Sequence, residues 1–547
     1  MFLLSFTFAT LTLLAPAQQE ASPIVLEVLR PAELGKELQH GILAKNLLRS
    51  PVWQELEANP QAAGVKVGLG ILLNPVKGEV GEFLDAFAGD GLRVTLRGQE
   101  PNVVWTLHAR GRDGDLAEAC LRPVLGLAGV TAQQIAGEEW TIALGEIQFA
   151  RRGDQFLAGP KAAGELKMIA TDPLPAGMRI ARAACPDSQI IAYLNGDALR
   201  AKGYPRYPED LGASLLGGEV HEALRVAPWA VLALGVTHKG IHIEGLAPCG
   251  AELRASHAPF FPQVETVSMP DLPGAVLNGS MTRELGTWWT SRDLYTSEAA
   301  VADSIEADGT LALLFGRDPG PEVFAHIEPG MRVLAARLPE EESRKLSIEL
   351  PGFAWGFQLK KDAPEDLSSA FVNAFTAAIT FANFDGGALA DSPFLLGVEP
   401  MKQGMLYAAR MRQDADAESR PLRANFSPSL WVGEDGEIWF SSSAGLARAI
   451  AAAPRVPHEV GGVRFSIGGQ AAASYLRTNQ QALIAQRALQ EGGDIEAATS
   501  LIELVTDSVT RLHALHFRSA RDGNQFRVRL ELDFKAPPQN GVTEGNK

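Results

Sequence analysis

The hydrophobic positions of this chain change period many times, and the changes divide it into strands and helices. Residues 24–29 alternate as a strand does, and residues 32–48 follow with helical spacing. Residues 65–73 form an apolar run interrupted by Gly68 and Gly70, which reads as another strand. Residues 79–87 are helical in period, and 92–97 give the next strand. Leu116, Cys120, Val124 and Leu127 share one face of a helix over 115–127. Residues 140–144 and 147–157 alternate again, with Arg152-Gly153-Asp154 as a hairpin turn. Residues 161–170 read as a helix ended by Pro173, and a strand over 190–194 leads through Gly196-Asp197 into a helical segment. Residues 230–236 and 241–246 form a hairpin about Lys239-Gly240.

The stretch 253–275 carries Pro259, Pro262, Pro270 and Pro273 among isolated apolar residues, the pattern of a linker packed on a surface. Beyond it, residues 310–315, 333–338 and 353–359 read as strands, with a charged insertion over 340–345. A helix over 364–384 has Asp362 as a cap and Pro364 near its first turn. Residues 430–432 and 438–440 flank Glu434-Asp435-Gly436-Glu437, a hairpin signal. Ile495, Ala498, Ile502, Val505, Val509 and Leu512 follow at steps of 3, 4, 3, 4 and 3, which defines an amphipathic helix. Strands over 513–519 and 526–534 precede a polar tail expected to be disordered.

Short matches recur in order between the two parts. Glu33-Leu34-Gly35 answers Glu284-Leu285-Gly286, and Gly91-Leu92-Arg93-Val94 answers Gly330-Met331-Arg332-Val333. Trp105 answers Trp355, Asp115-Leu116 answers Asp366-Leu367, and Gly196 answers Gly469. Ala163-Gly164 and Pro173 answer Ala444-Gly445 and Pro454. Unbroken order with changing steps is what duplication followed by loop insertion gives. The expected fold is α+β, in two related halves, each a mostly antiparallel sheet covered on one side by amphipathic helices. The expected segments are 1–17 (signal peptide), 18–252 (first half), 253–275 (linker), 276–535 (second half) and 536–547 (tail).

Composition narrows the partners. Lys and Arg number 49 against 65 Asp and Glu, a formal net charge of −16, which disfavours nucleic acid and charge-driven docking on anionic lipid. Residues 2–14 are apolar and Ala15-Pro16-Ala17 has the form of a cleavage site, so export to the periplasm or beyond is expected. No integral membrane segment is expected in the mature chain. Cys120, Cys185 and Cys249 are too few for a disulfide framework. Export would permit one bridge between Cys185 and Cys249, and two unpaired thiols is the other reading.

Candidate chemistry is sparse, and no cofactor motif occurs. His238 and His242 surround the Lys239-Gly240 turn, with Glu244 on the same strand face as His242; this set could hold zinc, although its spacing is no known ligand signature. His513 and His516 sit at the corresponding place in the other half. Gly212-Ala213-Ser214-Leu215-Leu216 fails the serine-hydrolase pattern at its last position. A carboxylate pair distant in sequence would leave no local motif, which keeps a hydrolase open. Trp288 and Trp289 could line a groove for an apolar or carbohydrate ligand.

The duplicated order, the signal segment and the Lys239-Gly240-Ile241 and Asp522-Gly523 turns resemble a family of large exported bacterial proteins classed as a domain of unknown function. That resemblance brings no catalytic residues. The leading expectation is an exported non-enzymatic binding or scaffold protein with an unknown protein, apolar or carbohydrate partner. A carrier of lipid or another apolar ligand, and the hydrolase, are the alternatives.

Overall fold

The first strand, β1 (Ile24–Val28), is buried at all five positions, so both faces of its sheet need cover. The computed structural model describes residues 24–47, 60–97, 104–135, 137–161, 175–201, 203–249, 259–260, 262, 266–337, 349–386, 394–411, 426–459, 461–490 and 493–535. The signal segment, the helix expected over 161–170, the insertion at 340–345 and the tail lie wholly or almost wholly outside them. The described residues form two compact units. Unit 1 takes those within Met1–Pro205, Ala223–Pro248 and Arg529–Lys547, and unit 2 those within Arg206–Glu222 and Cys249–Val528.

Unit 1 is built on β1, β2 (Gly91–Arg97), β3 (Val104–Arg110), β4 (Glu139–Leu144), β5 (Ile147–Arg152), β6 (Gln155–Pro160), β7 (Ile190–Asn195), β8 (Trp229–Val236) and β9 (Gly240–Pro248). All neighbours are antiparallel, in the order β4-β5-β6-β3-β2-β1-β7-β8-β9. Helices α1 (Pro31–His40), α2 (Ile42–Leu47), α3 (Pro60–Leu73), α4 (Val80–Ala88), α5 (Gly114–Leu127), α6 (Ala176–Ala184) and α7 (Gly196–Ala201) complete it. Val25 packs with Met178 and Ala181 of α6, whereas its neighbour Leu26 packs with Val94 and Ala192. Val28 meets Leu34 of α1 and Val236.

Unit 2 opens with α8 (Leu211–Val226), whose residues up to 222 it contains. Its sheet runs β14 (Phe394–Met401), β15 (Gly404–Met411), β16 (Ser429–Gly433), β17 (Glu437–Ser441), β13 (Gly352–Gln358), β12 (Gly330–Ala336), β11 (Leu277–Thr282), β19 (Val463–Gly468), β20 (Leu512–Asp522), again antiparallel throughout. Helices α9 (Leu285–Thr290), α10 (Glu298–Phe315), α11 (Pro319–Glu322), α12 (Leu367–Gly386), α13 (Ala444–Ala452), α14 (Gly469–Thr478), α15 (Gln480–Gln490) and α16 (Ile495–Arg511) follow in chain order. Phe371 and Phe375 of α12 cover Met331, Phe357, Leu430 and Ile438. Leu334, Ala354, Trp431 and Trp439, each an odd number of positions away along the same strands, point the other way, beneath Leu446 and Ile450 of α13.

The fold is therefore α+β. Neighbouring strand positions feed separate cores, so apolar cover lies on both faces and not on one side as expected. Two further expectations are corrected. Residues 65–73 belong to helix α3, not a strand; Pro60 occupies its first turn, and Gly68 and Gly70 face open space, so neither blocks the helix. Residues 310–315 end helix α10, which Ser297 caps and Gly316 closes in the left-handed conformation. Short apolar runs do not distinguish the two periods. Within the Pro-rich stretch, β10 (Thr266–Pro270) pairs with β18 (Arg455–Glu459), burying Val267 and Met269. All three cysteines are buried, and no disulfide is formed among the described residues.

A polar cleft in unit 1

A sheet face beneath a helix is ordinarily apolar, and that of β9 starts so, with Leu246 in the α6 core. Two residues back the same face carries Glu244 and then His242, both buried. The strand β21 (Gln525–Phe534) pairs with β9, and its residues in unit 1 continue the polar character with Arg529, Glu531 and Asp533. Together with Arg30 and with Glu33, Lys36 and Glu37 of α1, the residues His242, Arg529, Glu531 and Asp533 line a cleft of about 650 Å³. Asp187, His238 and Lys239 stand at its rim. The volume falls within the range of small-molecule sites, about 300–1,000 Å³.

Two glycines make room for this face. A Cβ on Gly240 would lie 1.8 Å from the Leu532 carbonyl oxygen, so only glycine lets β9 approach β21 there. A Cβ on Gly235 would lie 2.0 Å from the His242 ring, which packs across β8 at that point. Gly235→Ala is expected to displace the imidazole and cost about 1–3 kcal/mol, as overpacking does. Urea unfolding reads the cost, and an unmoved His242 ring resonance would contradict it.

Fixed hydrogen bonds hold the floor. The Gln189 amide donates to the Val236 carbonyl at 2.9 Å and accepts from its N–H at 2.7 Å. Arg30 donates to the Pro186 and Ser188 carbonyls at 2.8 and 3.3 Å. The Arg529 guanidinium donates to Glu244 Oε1 at 2.5 Å and also pairs with Glu531. Glu244 Oε2 and Arg529 Nε are buried without a hydrogen-bond partner among the described residues.

Burial, and after it the Arg529 charge, lowers the His242 pKa; Glu244, Asp187 and Glu531 oppose the shift without reversing it. The ring is neutral near pH 7. The unfolded chain takes up this proton first as pH falls, so the stability contribution is complete above about 6.5 and is lost through the lowered folded-state value. A nuclear magnetic resonance titration should give His242 a midpoint below 6.5. A midpoint above that value would contradict the assignment.

Ser188 Oγ lies 3.4 Å from His242 Nε2, but Ser188 is fully buried and cannot reach a substrate. His238 is exposed in the turn and Glu244 is taken by Arg529. Among the described residues no group of three His, Cys, Asp or Glu is placed to hold a metal ion, these three included. His516 faces Ser466 across β19–β20, while His513 borders a different cavity, in unit 2.

Trp288 and Trp289 lie side by side on α9, buried in a cluster with Phe260 and Tyr295. Trp289 donates to Asp308 at 2.7 Å and has the Arg292 guanidinium 4.6 Å from its ring centre. Their rings are packed within this cluster, at 3% and 8% exposure. Arg529, Glu531 and Asp533 were not singled out by motif. Their signal is in the alternation of the last strand, where Arg527, Arg529, Glu531 and Asp533 occupy every second position.

No family model, curated protein or solved structure matches this chain.

Proposed function

We propose that the chain is an exported, non-enzymatic binding protein made of two copies of one α+β module, with the unit 1 cleft as a recognition site for a zwitterionic ligand such as a peptide. The observation that carries the ligand class is the charge on both walls. Arg30, Glu33, Lys36 and Glu37 oppose Arg529, Glu531 and Asp533, so positive and negative groups each find a counter-charge. An apolar carrier role has less support here, because nine of the sixteen residues lining this cleft are charged.

Register supports the duplication. Val94 lies opposite Leu26, and Val333 lies opposite Gly279. Ala192 also lies opposite Leu26, and Phe465 opposite Gly279. The tetrapeptide match and the Gly196–Gly469 match, taken independently, thus both equate Leu26 with Gly279. The same register shifts one proposed equivalence, since Val94 faces Leu107 whereas Val333 faces Trp355. On this reading the counterpart of Trp355 would be Leu107 in place of Trp105. Gly35 and Gly286 are alike too, each buried where a Cβ would strike a neighbouring helical segment.

Thermal unfolding of the full mature chain with millimolar trialanine tests the ligand class. The midpoint should rise in the wild type, as binding to the folded state requires, and not in Lys36→Glu, which reverses one exposed wall charge. No rise in the wild type, or an equal rise in both, counts against the reading.

A further inference from the structure

The two sheets end differently. The edge strand of unit 1, β4, exposes Glu139 and Thr141 between buried Trp140 and Ile142, as a solvent-facing edge does. The edge strand of unit 2, β14, pairs only with β15 among the described residues, yet its Leu395, Leu396 and Val398 are all exposed. Such an edge is a template for a further strand. Among the described residues nothing in the chain calls for Gly397 between them, since a Cβ there would meet only the Ala408 carbonyl oxygen, at 3.9 Å. A glycine inside a strand weakens it unless another backbone comes close.

Hydrogen-bond parity shows which main-chain groups face outward. The Phe394 N–H donates to Asn383 Oδ1 at 3.1 Å, and its carbonyl accepts from Asn383 Nδ2 at 3.0 Å, so both point away from β15. Alternate residues of a strand point the same way. Leu396 and Val398 therefore also turn N–H and C=O to the open side, and Leu395, Gly397 and Glu399 turn theirs to β15. Asn383 closes one end of this window, and Pro400, which has no N–H, closes the other. What stays open is two residues, each with one donor and one acceptor, placed symmetrically about Gly397.

We propose that β14 is a self-association edge, through which two copies of the chain join their unit 2 sheets antiparallel about Gly397. In that register Leu396 meets Val398 of the partner subunit twice, and four N–H···O=C bonds leave no main-chain group of either residue unpaired. Gly397 sits on the two-fold axis, in the close non-hydrogen-bonded position. Each hydrogen-bonded pair sets Leu against Val, an apolar contact. The one charge in the window, Glu399, is neutralised within its own copy by Arg448 at 2.9 Å, so no like charges are brought together. Four main-chain bonds alone do not offset the cost of association, so a free peptide strand is poorly held; a second copy brings the same exposed apolar side chains to the other side. This inference does not rest on the unit 1 cleft.

The test is sedimentation equilibrium on the full chain from micromolar to submillimolar concentration, with hydrogen exchange read at Leu396 and Val398. The wild type should approach twice the chain mass as concentration rises, and both amides should gain protection in step. Leu396→Lys should weaken the dimer about tenfold, because the cross-strand pair it breaks occurs twice. Leu396→Lys/Val398→Glu should recover part of that loss, since this register sets the two new charges opposite each other, whereas one centred on Leu396 or Val398 would oppose like charges. Leu313→Lys, on an exposed position of α10, should leave the dimer unchanged. All three variants alter exposed positions and should keep the wild-type circular dichroism. A monomer throughout, even one whose Leu396 and Val398 amides are already protected by another segment of the same chain, would overturn the assignment. So would a Leu396→Lys dimer as tight as wild type, no recovery in the double variant, or an equal loss in Leu313→Lys.

Discussion

Glu219→Leu is expected to destabilise unit 2 by about 3–5 kcal/mol, the cost of stranding one member of a buried ion pair. Arg283 is fully buried, and all five of its N–H donors are used. Nε donates to the Leu215 carbonyl at 2.7 Å; Nη1 donates to Thr282 at 2.8 Å and Phe260 at 3.3 Å; Nη2 donates to Leu216 at 3.2 Å and to Glu219 Oε2 at 2.6 Å. The other Glu219 oxygen accepts from Ser519 at 2.8 Å. Burial lowers the Arg283 pKa and only Glu219 opposes it, so removing the carboxylate leaves an unbalanced charge in the interior. The double variant Arg283→Met/Glu219→Leu should recover part of the loss, since no charge is stranded, but four backbone carbonyls lose Arg283 as a donor. Urea unfolding followed by hydrogen exchange in β20 measures both. A Glu219→Leu variant within 1 kcal/mol of wild type would contradict the account.

Trp439→Ala should cost a similar amount, about 3–5 kcal/mol, for a different reason. Trp439 is fully buried in the core beneath α13, and its ring lies over Gly356, where a Cβ would come within 2.3 Å. Its indole donates to Glu437 at 3.0 Å, but Glu437 keeps Arg332 and Arg455 as partners. The lost hydrogen bond is therefore worth only about 1 kcal/mol, and the cavity dominates. Trp439→Phe should lose less than Trp439→Ala in the same urea experiment. Equal losses would mean that the hydrogen bond, not the packing, governs.

Much of the fold could be read from local pattern, and the reason is visible in particular elements. The Glu434–Glu437 turn between alternating runs gives the β16–β17 hairpin, and the 3-4 spacing from Ile495 gives α16. The failures share a cause. The runs 65–73 and 310–315 are apolar apart from Lys66 and Thr310, so period carries little information, and the deciding signals were the caps at Pro60, Ser297 and Gly316. Cover on both sheet faces was also open to reading, since Ile24 to Val28 is nearly continuous in apolar residues except at Glu27. Glu27 is buried because Arg93 and Arg182 reach it.

The cleft was legible only in part. His242 and Glu244 were singled out from the hairpin, but for the wrong chemistry, because the Arg529 that occupies Glu244 lies on the last strand. Arg30, His242 and Arg529 come from widely separated parts of the chain, and only the sheet order brings them together. No local spacing encodes such a site.

Native mass spectrometry of the protein purified from its own cells tests the central claim most directly. The account predicts a stoichiometric small zwitterionic adduct that is released on denaturation and absent from Lys36→Glu. A lipid adduct, or an identical adduct on both proteins, would contradict it.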